Sequence, residues 1–194
     1  MAVVQTRPAS NGMATQLRQP LIATLPELRK EVGKALGYTN LLSVPNITKV
    51  IVAVGIGKNK DPKWKDLVID RVTKIAGQKP VLKGAKKSIA TFKVRQGDPS
   101  GVVVTLRGKR MLQFLEKFLH VALARMRDFR GISIGAVDNM GNITIGIREH
   151  TIFPETADEE IKNVFGLAIT IGTTATNKKD AEALFRKIGV PFKK

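Results

Sequence analysis

Cysteine is absent from the 194 residues, which excludes disulfides and thiolate zinc sites and fits a reducing compartment. Acids are scarce: sixteen Asp and Glu stand against thirty-three Lys and Arg, a formal net charge of +17. A surface that cationic attracts polyanions, whether nucleic acid or anionic membrane, and repels itself without them. Long apolar runs are missing too, and no stretch approaches the roughly 20 residues a spanning helix needs. The basic residues lie along expected strands and loops instead of down one helix face, and the N-terminus has no signal-peptide hydrophobic core. The expectation is a cytosolic protein with no membrane role. Histidine occurs twice, at His120 and His150, far apart in sequence. The carboxylates are scattered or clustered at Glu155 to Glu160, so no acid–base pair, nucleophile or metal-ligand spacing stands out. No catalytic residue, metal site or cofactor is therefore expected.

What is present is a chain 43% hydrophobic, enough for one sizeable core or at most two small ones. It is organised around Lys83 to Arg110, which carries eight lysines and arginines and one acid, Asp98. Ala90, Phe92 and Val94 alternate with Thr91, Lys93 and Arg95, as in a strand. After the turn signal Gly97-Asp98-Pro99-Ser100-Gly101, Val102, Val104 and Leu106 alternate with Val103, Thr105 and Arg107. This predicts a hairpin with one apolar face and one basic, hydroxyl-bearing face. The plainer alternative is an exposed strand pair whose lysines only keep it soluble and blunt its edge.

Residues 1–24 lack periodicity and predict a flexible tail, within which Met13 offers an alternative start. Residues 25–194 contain no repeat and no linker, and predict a single domain. Leu28, Val32 and Leu36 predict a helix from Pro26, with the proline in its first turn, to Leu36. Val50, Val52, Val54 and Ile56 predict a strand ending at Gly55-Ile56-Gly57-Lys58, which lacks the spacing of a phosphate loop or dinucleotide fingerprint. Helices are expected at Trp64–Ala76, Gly108–Asp128 and Lys178–Ile188, and strands at Ile143–Ile147 and Leu167–Ile171. The helix at 108–128 has the widest apolar stripe, through Met111, Leu115, Phe118 and Ala122, and carries His120 as a structural histidine. Trp64 reads as packing, and Glu155–Glu160 as the opening of a short helical turn. The whole is α+β: a single antiparallel or mixed sheet, helices on one face, and a basic RNA-binding face on the other.

The expected outward positions are Lys49, Ala53 and Gly55; Thr91, Lys93 and Arg95; Thr105 and Arg107; Thr144, Gly146 and Arg148; Ala168, Thr170 and Gly172. Aromatics make up 5% of the chain and none falls in this set, so base stacking on the sheet is excluded. A bare sheet of small, hydroxylated and basic side chains suits structured RNA, read through phosphates, 2′-hydroxyls and shape. An independent nucleic-acid chaperone or regulator using the same sheet is the second hypothesis. An enzyme acting on RNA is a remote third, against which the missing acid–base constellation speaks.

Several segments, in this order and spacing, carry a family resemblance. They are VPNITKVIVAVGIG at 44–57, AGQKP at 76–80, KKSIATFKVRQG at 86–97 and VTLRGKRM at 104–111, then RMRDFRG at 125–131, IREHTIFPE at 147–155 and PFKK at 191–194. The chain resembles bacterial ribosomal protein L5 of the large subunit. The resemblance implies a structural protein that binds 5S rRNA in the central protuberance, among large-subunit rRNA and neighbouring ribosomal proteins. It implies 5S contacts at Lys49, Gln78, Lys83, Lys86, Thr105, Arg107 and Arg110. It implies a mobile loop at Lys87–Gly97 reaching the peptidyl-site tRNA through Lys87, Ser88, Thr91, Lys93, Arg95 and Gln96, so that part of the first predicted strand becomes loop. It implies an intersubunit bridge to small-subunit protein S13 from within Arg127–Pro154, through Arg127, Asp128, Arg130, Asp138, Asn142 and Arg148. One departure is Ala53, where the family usually has an Asn that hydrogen-bonds to RNA.

Overall fold

The alternation at Ile47–Gly55 becomes β1, with Val50, Val52 and Val54 at 2% exposure or less and Ile51 and Ala53 half-covered on the other side. The computed structural model describes residues 21–57, 61–156 and 163–193, of which 21–24 by backbone alone. Four further strands join β1: β2 Val81–Gly84, β3 Pro99–Leu106, β4 Ile143–Ile147 and β5 Leu167–Thr173. They form one open antiparallel sheet in the order β2-β3-β1-β5-β4. A bulge at Thr48 inserts an extra residue, so Ile47 and Val50 both face inward.

The helices are α1 Leu21–Leu36, α2 Pro62–Ala76, α3 from Gly108 and α4 Lys178–Ile188. Asp61 caps α2 by accepting the Lys63 amide, Pro62 opens it, and Gly77, at φ +66°, closes it in the left-handed conformation. α3 runs as Gly108–Lys117, a π turn at Phe118–Ala122, and Leu123–Arg125. Its buried Phe114 and Phe118 stack with Phe153, ring centroids 6.1–6.4 Å apart. The inward β1, β3, β4 and β5 side chains join Val68, Val72, Leu115, Leu184 and Phe185 in one hydrophobic cluster. Each such side chain fully withdrawn from water stabilises the fold by about 1.5–3 kcal/mol before entropy is counted. The fold is the predicted α+β sheet with helices against one face, and Trp64 packs against the cluster as expected.

Four details differ. Pro26 lies inside α1, not in its first turn, because the helix begins at Leu21. The predicted strand over Ala90–Arg95 is a 3-10 turn, Ala90–Phe92, with Phe92 72% exposed. The hairpin partner of β3 is instead β2, whose four residues are all exposed and so carry no alternation. His120 is exposed; the structural histidine is His150, at 0% exposure, its ring stacked 4.0 Å from Phe165 and its Nδ1 accepting the Phe165 amide. The acidic cluster does open a 3-10 turn at Pro154–Thr156; its remainder lies outside the described residues, as does the predicted tail up to residue 20.

Candidate nucleic-acid interface

The register assembles the outer face of the sheet row by row. One row reads Val81, Val103, Ala53, Ala168, Gly146; the next reads Thr105, Ile51, Thr170, Thr144. These nine residues are uncharged and, Ile51 apart, small, β-branched at the size of Val, or hydroxylated. Thr105, Thr144 and Gly146 are exposed, and Ile51, Ala53, Ala168 and Thr170 half-covered. The Thr144 and Thr170 hydroxyls pair across β4 and β5 at 3.0 Å. Flatness is built in at Gly172, opposite Lys49: a Cβ there would stand 3.1 Å from Lys49 Cγ and 3.3 Å from its Cε. The missing side chain lets the lysine stem lie along the sheet while its ammonium reaches the margin.

Charge sits at the ends of the strands. Arg107 follows β3 beside Lys49 at one end; Lys83, opposite Gly101, and Arg148, just past β4, mark the other end at the two edges. The expected basic face is thus a neutral centre with basic margins, and Thr91, Lys93 and Arg95 are not on the sheet at all. Among the predicted 5S residues, Lys49, Gln78, Thr105 and Arg107 come together, with Gln78 Nε2 donating to the Thr105 carbonyl at 3.5 Å. Lys83 and Lys86 lie toward the opposite end, roughly 13 Å along the strand at 3.3 Å per residue. Arg110 sits on the first turn of α3, where it lines a cleft with Lys74, Gln113 and Lys117. Acids are held on the helical side: Asp70 with Lys74, Glu155 with Lys117, Glu182 with Arg186 and Glu31 with Lys187.

Between β2 and β3, residues 85–98 form an arm hydrogen-bonded to itself. Ala85 and Asp98 join at its base (2.8 Å), Gly97 donates to the Ala85 carbonyl (3.0 Å), and Ile89 and Val94 exchange two bonds near its tip (3.0 and 3.2 Å). Ser88 Oγ accepts the Gln96 amide, and Asp98, the one acid here, accepts the Arg95 amide. Ser88 and Asp98 therefore shape the arm, while Lys86, Lys87, Thr91, Lys93, Arg95 and Gln96 are exposed. Gly84 suits its root, since a Cβ would make a tight 3.0 Å contact with the Gly97 carbonyl oxygen.

The residues predicted for an intersubunit bridge fall into three places. Arg127, Asp128 and Arg130 occupy the turn after α3, with Asp128 at φ +56°, beside the chain end, where Ile132 pairs with Phe192. Asp138 and Asn142 close a turn on each other: the carboxylate accepts the Asn142 amide (2.7 Å) and its Nδ2 (3.0 Å). The Asn142 side chain, then its backbone N–H, hold the Asp138 carboxyl below its ordinary pKa. Arg148 lies at the far end of β4, roughly 20 Å from Asn142 by strand rise. Sequence reasoning passed over Met140, 71% exposed at the tip of the Asp138 turn, and misread Phe92, expected on the apolar side of a strand but exposed on the arm. Their signal was an apolar side chain flanked by turn residues or lysines, with nothing in register to bury it.

Among the described residues no group of three His, Cys, Asp or Glu is placed to hold a metal, and no helix is long and apolar enough to cross a membrane. Comparison with known proteins gives two family matches. The family described as "Ribosomal protein L5" matches residues 40–95, and the C-terminal part of the same ribosomal family matches residues 99–192. Both matched segments contribute strands to the one sheet. A protein of Natranaerobius thermophilus named large ribosomal subunit protein uL5 is 46% identical over 167 residues, 86% of this chain and 93% of its own length. Its namesake in Halothermothrix orenii is 49% identical over 80% of this chain and 87% of its own. That of Mycoplasma mycoides is 47% identical over 88% and 93%. With both halves of the sheet matched and relatives of this identity along most of its length, the chain belongs to the ribosomal protein L5 family.

Proposed function

We propose that this chain, a structural and non-catalytic component of the large subunit of the cytoplasmic ribosome, binds 5S rRNA through the outer face of its sheet. The observation that carries the reading is the neutral centre, mostly of small or hydroxylated residues, with Lys49, Arg107 and Lys83 at its margins. Small side chains allow close approach of an RNA backbone, hydroxyls on Thr105, Thr144 and Thr170 suit 2′-hydroxyl and phosphate oxygens, and marginal cations suit the phosphates on either side. Gln78 and Arg110 extend this surface along the α2–α3 side, and Lys86 extends it toward the arm. The arm reaches the peptidyl-site tRNA through Lys87, Thr91, Lys93, Arg95 and Gln96. Its projection from the sheet and its excess of cations over the single Asp98 support that role. The turn at Arg127–Arg130, the turn at Asp138–Asn142 and Arg148 meet small-subunit protein S13, supported by the exposed arginines and by Met140.

The test is a hydroxyl-radical footprint of the purified protein on folded 5S rRNA, repeated across salt. Protection of one contiguous region is expected, with log affinity falling by roughly 0.7–0.9 per phosphate contact for each decade of salt. A diffuse footprint, or affinity flat between low and moderate salt, would overturn the reading.

A further inference from the structure

The chain has eight phenylalanines, and Phe92 is the one left exposed. Phe114, Phe118, Phe153, Phe165 and Phe185 are buried at 6% or less, and Phe129 and Phe192 pack against the core. Phe92 is 72% exposed, with Ile89 beside it at 47%. The turn is closed by the Lys93 amide on the Ala90 carbonyl (2.9 Å), Lys93 at φ +51° sends the chain back, and the Ile89–Val94 bridge clamps both ends. The ring is thus held out on a hydrogen-bonded support. Phe92, Ile89 and Val94 line a hollow of about 1030 Å³ bordered by Lys86, Lys87 and Lys93. An apolar wall with a cationic border fits a nucleotide, base against the wall and phosphate on the border. An apolar protein side chain seated there would bring no counter-charge to Lys86 and Lys87.

We propose that Phe92 is a stacking platform for an unpaired RNA base, with Lys86 and Lys87 holding the flanking phosphates. The proposal rests on the reading that the arm meets RNA, and deepens it. The sheet face has no ring to offer, so the molecule divides its recognition: shape on the sheet, one base plane on the arm. A stacked ring accepts any base, so the contact selects for an unpaired base and not for a sequence.

The full chain tests this with two probes at matched salt, a short oligoadenylate and a fully paired RNA duplex with the same number of phosphates. In a Trp64→Phe background, Phe92→Trp gives a sole tryptophan, whose fluorescence should be quenched saturably by oligoadenylate and little by duplex. Phe92→Leu should lower oligoadenylate affinity about 5- to 150-fold, the range typical of losing one stacked base. Duplex affinity should change less than twofold, and Phe92→Tyr should bind like the parent. Leu binding oligoadenylate as well as Phe and Tyr would overturn the stacking proposal. If Lys86→Ala with Lys87→Ala weakens both probes in that case, stacking alone fails. If that pair also changes nothing, the reading of the arm as an RNA contact fails with it. Loss of retention on ribosomal particles in Phe92→Leu, with RNA affinity intact, would assign the apolar surface to a protein neighbour and likewise overturn the proposal.

Discussion

The outer face of the sheet and the arm at 85–98 are joined through β2 and β3, and they are built on opposite principles. Beneath the face lie Val50, Val52, Val54, Val102 and Val104, each at 2% exposure or less, so its surface residues hold their positions through the packing of the core. Beneath the arm there is no such layer: its order comes from hydrogen bonds within itself, and Ile89 and Phe92 stay exposed. The face is uncharged at its centre and basic at its margins; the arm is basic throughout. A surface fixed by a core suits a partner that stays bound, because nothing must be reordered on contact. A projecting arm with local bonds alone can yield and re-form at a cost of a few weak bonds, which suits a partner that comes and goes.

The largest test of this contrast is stability. Phe118→Ala opens a cavity among Phe114, Phe153 and the sheet, and should cost about 3–5 kcal/mol. Phe92→Ala removes a ring already in water, and should stay within about 0.5 kcal/mol. Urea denaturation of both variants decides the matter. A Phe92 variant that unfolds early would mean the arm is packed into the fold after all.

The same contrast explains what the sequence could and could not disclose. Where a core lies behind a segment, burial writes its period into the residues: Val50-Val52-Val54 and Val102-Val104-Leu106 face inward as read, and α4 spans Lys178–Ile188 as read. On the arm, Ile89 to Arg95 shows the same alternation with nothing behind it. The pattern there comes from a turn closed by the Ile89–Val94 bridge, and period alone does not separate the two cases. β2 failed in the opposite direction, since an edge strand exposed at all four positions leaves no apolar period to read. His120 sits in an apolar-striped helix but on its solvent side, while His150 lies in an irregular segment whose burial depends on Phe165, fifteen residues on. The site followed the same rule. Lys49, Gln78, Thr105 and Arg107 were legible because strand parity places three of them. The separation of Arg148 from Asn142 required the register of β4, which the sequence does not print.

The next effect is on 5S rRNA. Gln78→Ala together with Thr105→Val removes two polar groups at the Arg107 end of the face, each worth on the order of 1 kcal/mol of binding. Affinity for 5S rRNA should fall about tenfold or more, with the urea midpoint unmoved, because both side chains lie outside the core. A midpoint that drops while the folded fraction binds normally would assign the pair to structure, through the Gln78 bond to the Thr105 carbonyl.

Lys93→Ala with Arg95→Ala addresses the arm by itself. Occupancy of tRNA at the peptidyl site should fall several-fold while 5S affinity changes less than twofold, compared at matched salt. If this pair and the Gln78–Thr105 pair lose equally in both assays, the molecule acts as one diffuse cationic field and the division into two surfaces is wrong.

The smallest effect, and the finest test, is at Ala53. It sits at the centre of the face between Val103 and Ala168, half-covered, and its methyl group offers RNA no hydrogen bond. Ala53→Asn would add a donor and an acceptor to a row of the face that is otherwise aliphatic. If RNA lies directly against the centre, one net hydrogen bond of about 0.5–1.5 kcal/mol should raise 5S affinity about two- to tenfold. Asn is disfavoured in strands, so folding stability should fall by up to about 1 kcal/mol, and the two changes are measured separately. tRNA occupancy should not move, since the arm is untouched. Ala53→Leu supplies the control: it adds bulk with no polar group, and should lower 5S affinity by holding the RNA off its small neighbours. If Leu is tolerated and Asn gains nothing, RNA does not approach the centre of the sheet. The basic margins alone would then carry the binding, and face and arm would differ in rigidity but not in the way they read RNA.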